Sequence, residues 1–166
     1  MPTTAPAAHR LQHCASLWSA GDLRATDVVA AACDALVGGL DSPALRILAA
    51  CTRAEADYDV PDLLPPALDE LGLVFHPATS AAGREAAVCA LAALMLEGEL
   101  TPRELAFRVH RRFGHEFPPA ERLAQLDDEY RLLACDGGTS TEVDAEVRAE
   151  ALRLARRPRP GPGRTG

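Results

Sequence analysis

The chain has 166 residues, of which 48% are apolar, 25% charged and 4% aromatic, and it carries a formal net charge of -7. At this length folding hides about 70% of the surface that the unfolded chain exposes, so a core forms without a metal or disulfide staple. The four arginines from Arg156 onward take the charge of the remainder from -7 to -11. Such a body repels phosphate backbones, which argues against nucleic acid as a partner.

Lys and Asn are absent and Ile47 is the single isoleucine, a codon bias that points to a GC-rich, bacterial genome. The core must then be made of Leu, Val and Ala. Five cysteines, Cys14, Cys33, Cys51, Cys89 and Cys135, are widely spaced with no C-x-x-C pair. They read as reduced thiols in a cytoplasmic protein, with Cys33, Cys51 and Cys89 buried in apolar stretches. The start, MPTTAPAAHR, lacks a basic segment followed by an apolar one, and the longest apolar run, 86–96, is too short to span a bilayer. No membrane partner is expected.

Helix punctuation is dense along the chain, and alternating β-branched runs are missing. The spacing of Leu11, Cys14, Ala15 and Trp18 predicts a helix over 7–20 that stops at Gly21. A second helix is predicted over 26–37 before Gly38 and Gly39. Ser42 as a cap with Pro43 in the first turn predicts a third, over 43–54. A loop over 55–60 then leads to Pro61 and a short fourth helix ending at Gly72. Ser80 caps a fifth over 81–97, apolar almost all round, which is the pattern of a buried element. Thr101, Pro102 and Glu104 form a capping box for a sixth, ending at Gly114. The seventh runs from Pro118 and Pro119 to about Ala134, and Thr139 with Glu142 starts the eighth, to about Arg157. From Pro158 to Gly166 the Arg, Pro and Gly string has no apolar anchor and reads as a disordered tail.

The halves 7–72 and 81–157 resemble each other. Leu17, Gly21, Leu23 and Asp27 match Leu94, Gly98, Leu100 and Glu104 at an offset of 77. Ala- and Leu-rich chains produce such matches by chance, so the residues leave duplication open.

No H-E-x-x-H, phosphate-binding glycine loop or G-x-S-x-G motif occurs. His9 and His13 are four apart but opposite Trp18 on the wheel, with no third ligand in view. In 107–115, Leu105, Val109 and Phe113 share an inward face, Arg108, Arg111 and Arg112 point elsewhere, and Phe107 falls off the apolar arc as a candidate contact. The arginines there also suit a helix C-terminal dipole. Asp57, Tyr58 and Asp59 place two carboxylates and an amphipathic aromatic in the expected loop, without the glycine and terminal glutamate of a calcium site. Asp127, Asp128 and Glu129 repeat the theme, with Leu126, Tyr130 and Leu133 expected to face the core and the acids water.

The residues thus specify an all-α bundle of about eight helices in one domain, 1–157, followed by the tail 158–166. No catalytic, cofactor or metal site is read from them. The reading they favour is a non-catalytic acidic protein that binds a partner with a basic surface, as an immunity-type inhibitor or regulatory adaptor does, through Asp57, Tyr58 and Asp59, with Phe107 and Arg111 as further contacts. Behind it stands a small-molecule binder or enzyme with a pocket between helices. Third is a nucleic-acid regulator using the second and third helices as a helix-turn-helix, with Arg46 and Arg53 nearly its only cations.

Overall fold

The computed structural model describes residues 4–158, which form eight α-helices and no strand. They are α1 (Thr4–Ser19), α2 (Ala25–Val37), α3 (Pro43–Ala49), α4 (Ala56–Glu70), α5 (Ala81–Leu96), α6 (Pro102–Phe113), α7 (Pro118–Asp136) and α8 (Thr141–Ala155). None of the described helices is long and apolar enough to cross a membrane. Apart from Pro158, the expected tail lies outside the described residues. The chain divides into two compact units at Ala87/Val88, within α5.

In the N-terminal unit α1 packs on α2, α2 on α3 and α4, and α3 on α4. Its core is aliphatic: Leu11, Val28, Leu45, Leu48, Val60, Leu64 and Leu68 are all buried, with Ala25, Ala32, Ala35, Ala44 and Ala67 letting the helices approach closely. After α4 the chain returns to α1. There Gln12 donates from Nε2 to the Val74 carbonyl at 2.7 Å and accepts from the Val74 amide at 3.0 Å. Ser80 caps α5 as expected, its Oγ accepting from the Gly83 amide at 2.9 Å. Gly83 must be glycine, because a Cβ there would sit 2.0 Å from the Pro77 carbonyl oxygen.

In the C-terminal unit α6 packs on α7 and α8, and α7 on α8. The buried side chains include Leu105, Val109, Leu123, Leu126, Val147 and Leu154. Polar groups are buried here too. Tyr130 donates its hydroxyl to Asp144, and burial, reinforced by that carboxylate, pushes the phenol well above its ordinary range. On α5 itself Leu91 is buried while Cys89 and Leu94 are half-buried, so its apolar run is not uniformly hidden.

The ends of α1 and α5, Ser19 and Leu96, lie 77 residues apart, as do the starts of α2 and α6, Ala25 and Pro102. The bonds between them correspond as well. The Asp22 amide reaches the Leu17 carbonyl at 2.8 Å and the Glu99 amide the Leu94 carbonyl at 2.9 Å. This six-residue closure needs the left-handed backbone that Gly21 (φ 81°) and Gly98 (φ 85°) supply. Next, the Arg24 amide bonds the Asp27 carboxylate at 2.9 Å and the Thr101 amide that of Glu104 at 2.8 Å.

Several boundaries differ from the sequence reading: α1 begins at Thr4, and α8 opens after Ser140, with no side-chain cap, and not on the capping box expected of Thr139 and Glu142. Helix α3 ends at Ala49, and α4 begins at Ala56, where a loop was expected. The cause is Thr52: its amide donates to Glu55 Oε2 at 3.0 Å, its hydroxyl donates to the same carboxylate, and its carbonyl accepts from the Ala56 amide at 3.0 Å. This closes a turn that opens the new helix. Pro61, Pro65 and Pro66 then sit inside α4 without ending it. The carbonyls that lose their usual amide belong to Asp57, Pro61 and Asp62, all exposed residues, where the loss leaves no buried acceptor behind.

Candidate functional site

Asp57, Tyr58 and Asp59 occupy the first turn of α4. Carboxylates there oppose the positive end of the helix dipole, which accounts for their position on structural grounds alone. Tyr58 is not so accounted for: it is 83% exposed on a rigid turn. Neither it nor its two acidic neighbours has a side-chain hydrogen bond or ion pair among the described residues, and Asp62 stands exposed one turn further on.

Asp57 also lines an open groove of about 690 Å³ with Trp18, Gly21, Leu23, Arg24, Thr26 and Arg53. The groove is formed by the end of α1, the start of α2 and the turn before α4. Arg24 is the N-cap residue of α2 and makes no side-chain cap, and neither its guanidinium nor that of Arg53 is ion-paired among the described residues. Trp18 is partly buried and tilted against Phe75, ring centroids 6.4 Å apart, so its indole is held in place. Sequence reading missed this site because its residues come from three separate turns. Arg24 in a position that favours Ser, Thr, Asp or Asn was the one available signal.

Phe107 and Arg111 lie in the C-terminal unit, on α6, and are not part of the α4 turn. Phe107 is 44% exposed and Arg111 is exposed, as the wheel predicts. Of the third reading's cations, Arg46 is engaged by Asp41, which it holds below the usual carboxylate range by a side-chain hydrogen bond.

The acids of α7 do not all face water. Asp127 is buried, 3% exposed, where it meets His110 Nδ1 at 2.8 Å and Arg131 at 2.9 Å. The cysteine expectation is also corrected. All five are thiols outside any disulfide, but only Cys14 is buried, while Cys33 and Cys135 are exposed and Cys51 and Cys89 half-buried. Cys33 falls on the outward arc of α2 with Ala30, Asp34 and Val37, which are likewise exposed. Burial, with Asp27 nearby, pushes the Cys14 thiol up to about 12, so it is no nucleophile. No family model, curated protein or solved structure matches the chain.

Proposed function

We propose that the chain acts by binding another protein, with the first turn of α4 as its contact and a basic surface on the partner. The observation that supports this is Tyr58: a large amphipathic ring, 83% exposed, flanked by Asp57 and Asp59 with no internal partner. An aromatic anchor ringed by carboxylates suits a protein interface, the ring filling a pocket and the acids steering a cationic surface. Holding the three on a helix rather than a loop reduces the ordering required on association. The test is affinity purification from the native host with the wild type and with Asp57→Ser/Tyr58→Ala/Asp59→Ser. A protein retained by the first and lost with the second supports the reading; identical recoveries refute it.

The groove supports a second reading, a small anionic ligand. Two guanidiniums with no ion pair among the described residues, and a fixed indole, form a concave lining of the size that small molecules fill. A thermal-shift screen of carboxylated and phosphorylated metabolites tests it. A ligand that raises Tm in the wild type but not in Arg53→Ser would replace the first reading with this one.

A further inference from the structure

The C-terminal unit contains a cluster that neither reading uses. At the C-terminal end of α6, His110 and, just beyond it, His115 face Asp127 and Asp128 of α7, with Arg131 a turn further on. One ring nitrogen of each histidine and a carboxylate oxygen of Asp128 lie within 4.8 Å of one another. His115 Nε2 is 3.0 Å from Asp128 Oδ2, and the two imidazoles meet edge to face with centroids 4.7 Å apart.

We propose that His110, His115 and Asp128 bind a divalent transition-metal ion, with zinc as its natural class, and that Asp127 is the positioning residue for His110. Two imidazoles and one carboxylate are a donor set zinc accepts, leaving a fourth position for water or a further ligand. Donor atoms that share a zinc at about 2.0–2.1 Å stand roughly 3.3 Å apart. His115 Nε2 and Asp128 Oδ2, at 3.0 Å, are already close to that spacing, whereas His110 approaches Asp128 through Nδ1, 3.8 Å from Oδ1, and its ring must turn on the Asp127 bond to bring Nε2 in. His115, with its side chain 47% exposed, is free to follow. The support behind His110 is already built. The Asp127 carboxylate, its side chain 5% exposed, accepts from Nδ1 and fixes the tautomer that keeps the Nε2 lone pair for a metal. Metal-binding histidines regularly have such a carboxylate behind them. The charges agree: two carboxylates face one guanidinium, and Arg131 lies at 2.9 Å from Asp127 but 4.0 Å from Asp128. Arg131 therefore neutralises the buried acid and leaves the outer one for a cation.

The contrast with Cys51, Glu55 and Asp59, which also lie within 4.8 Å of one another, is informative. Glu55 is occupied by Thr52, and burial together with two carboxylates raises the Cys51 thiol above its ordinary range, against the thiolate a metal requires. That group lacks both a free donor set and a supporting residue.

The experiment is calorimetric titration of the full chain with zinc in a non-coordinating buffer, with cobalt as a spectroscopic probe of geometry. One equivalent of zinc should bind with Kd in the micromolar range or below, and cobalt should give the intense visible bands of a four- or five-coordinate site. His115→Ala, at an exposed position, should weaken zinc binding at least tenfold while leaving the metal-free Tm unchanged, and Asp127→Asn should weaken it about 10- to 100-fold. His9→Ala/His13→Ala controls for the pair on α1. Absence of binding at 100 μM zinc, or binding that is unchanged in His115→Ala or lost in the α1 double variant, would overturn the proposal.

Discussion

The two units share punctuation and differ in what they bury. From the end of α1 and the end of α5 the chain makes the same glycine-closed turn and the same amide-to-carboxylate bond at the next helix start, 77 residues apart. Thereafter they diverge: α3 has 7 residues, α7 has 19. The added length of α7 brings Asp127, Asp128 and Arg131 alongside the last turn of α6, so the C-terminal unit acquires a buried charge network. The N-terminal unit, with its short α3, has an aliphatic core and keeps the charged groups of the α4 turn and the groove outside it. Similar local signals thus support opposite placements of polar chemistry, and helix length decides between them.

The largest expected effects lie in the two cores. Leu64→Ala on α4 and Leu123→Ala on α7 remove side chains that are 0% exposed, and each should cost about 2–5 kcal/mol in urea unfolding. A loss below about 1 kcal/mol in either would mean that its unit is not packed as described. Asp127→Ala comes next. It strips His110 and Arg131 of a buried acceptor and should cost about 1–3 kcal/mol. The solvent exposure of Arg131 holds the figure below that of a fully buried pair. Among the described residues, the aliphatic core of the N-terminal unit holds no charge that offers a counterpart.

A smaller effect concerns alkaline pH. The Cys14 thiol ionises near 9 when unfolded and at about 12 when folded. Between these values the unfolded state binds fewer protons, so stability present below pH 9 falls as pH rises, by about 1 kcal/mol from pH 8 to 10. Unfolding of Cys14→Ala across that range should show a shallower decline. Last, Arg24→Thr transplants to α2 the cap that Thr101 gives α6, where its Oγ accepts from the Glu104 amide at 3.1 Å. It should raise stability by about 1 kcal/mol. A decrease would show that Arg24 has a structural role that Thr101 lacks.

Helix starts and stops were legible because they rest on chemistry within a few residues. Ser42 bonds the Leu45 amide at 3.2 Å and Thr101 the Glu104 amide, as their spacing predicts, and Gly21, Gly39, Gly72, Gly98, Gly114 and Gly137 all take positive φ. Thr52 and Glu55 carry the same S/T-x-x-E spacing and were passed over because Pro61 was read as the start of the fourth helix. The helix instead starts one turn and more earlier and runs through Pro61. The burial of Asp127 was readable in principle, since it lies on one arc of α7 with Leu123, Ala124, Leu126 and Tyr130, all buried. The convergence of His110, His115 and Asp128 was not, because it depends on how α6 and α7 pack. Nor was the groove, which three turns assemble.

If Tyr58 anchors a protein partner while Asp57 and Asp59 steer it, surface plasmon resonance on the protein recovered from the host will separate the two roles. At two salt concentrations, Asp57→Ser/Asp59→Ser should slow association and weaken its salt dependence, whereas Tyr58→Ala should mainly speed dissociation, by tenfold or more. Unchanged association and dissociation rates in the triple variant would move the interface off α4.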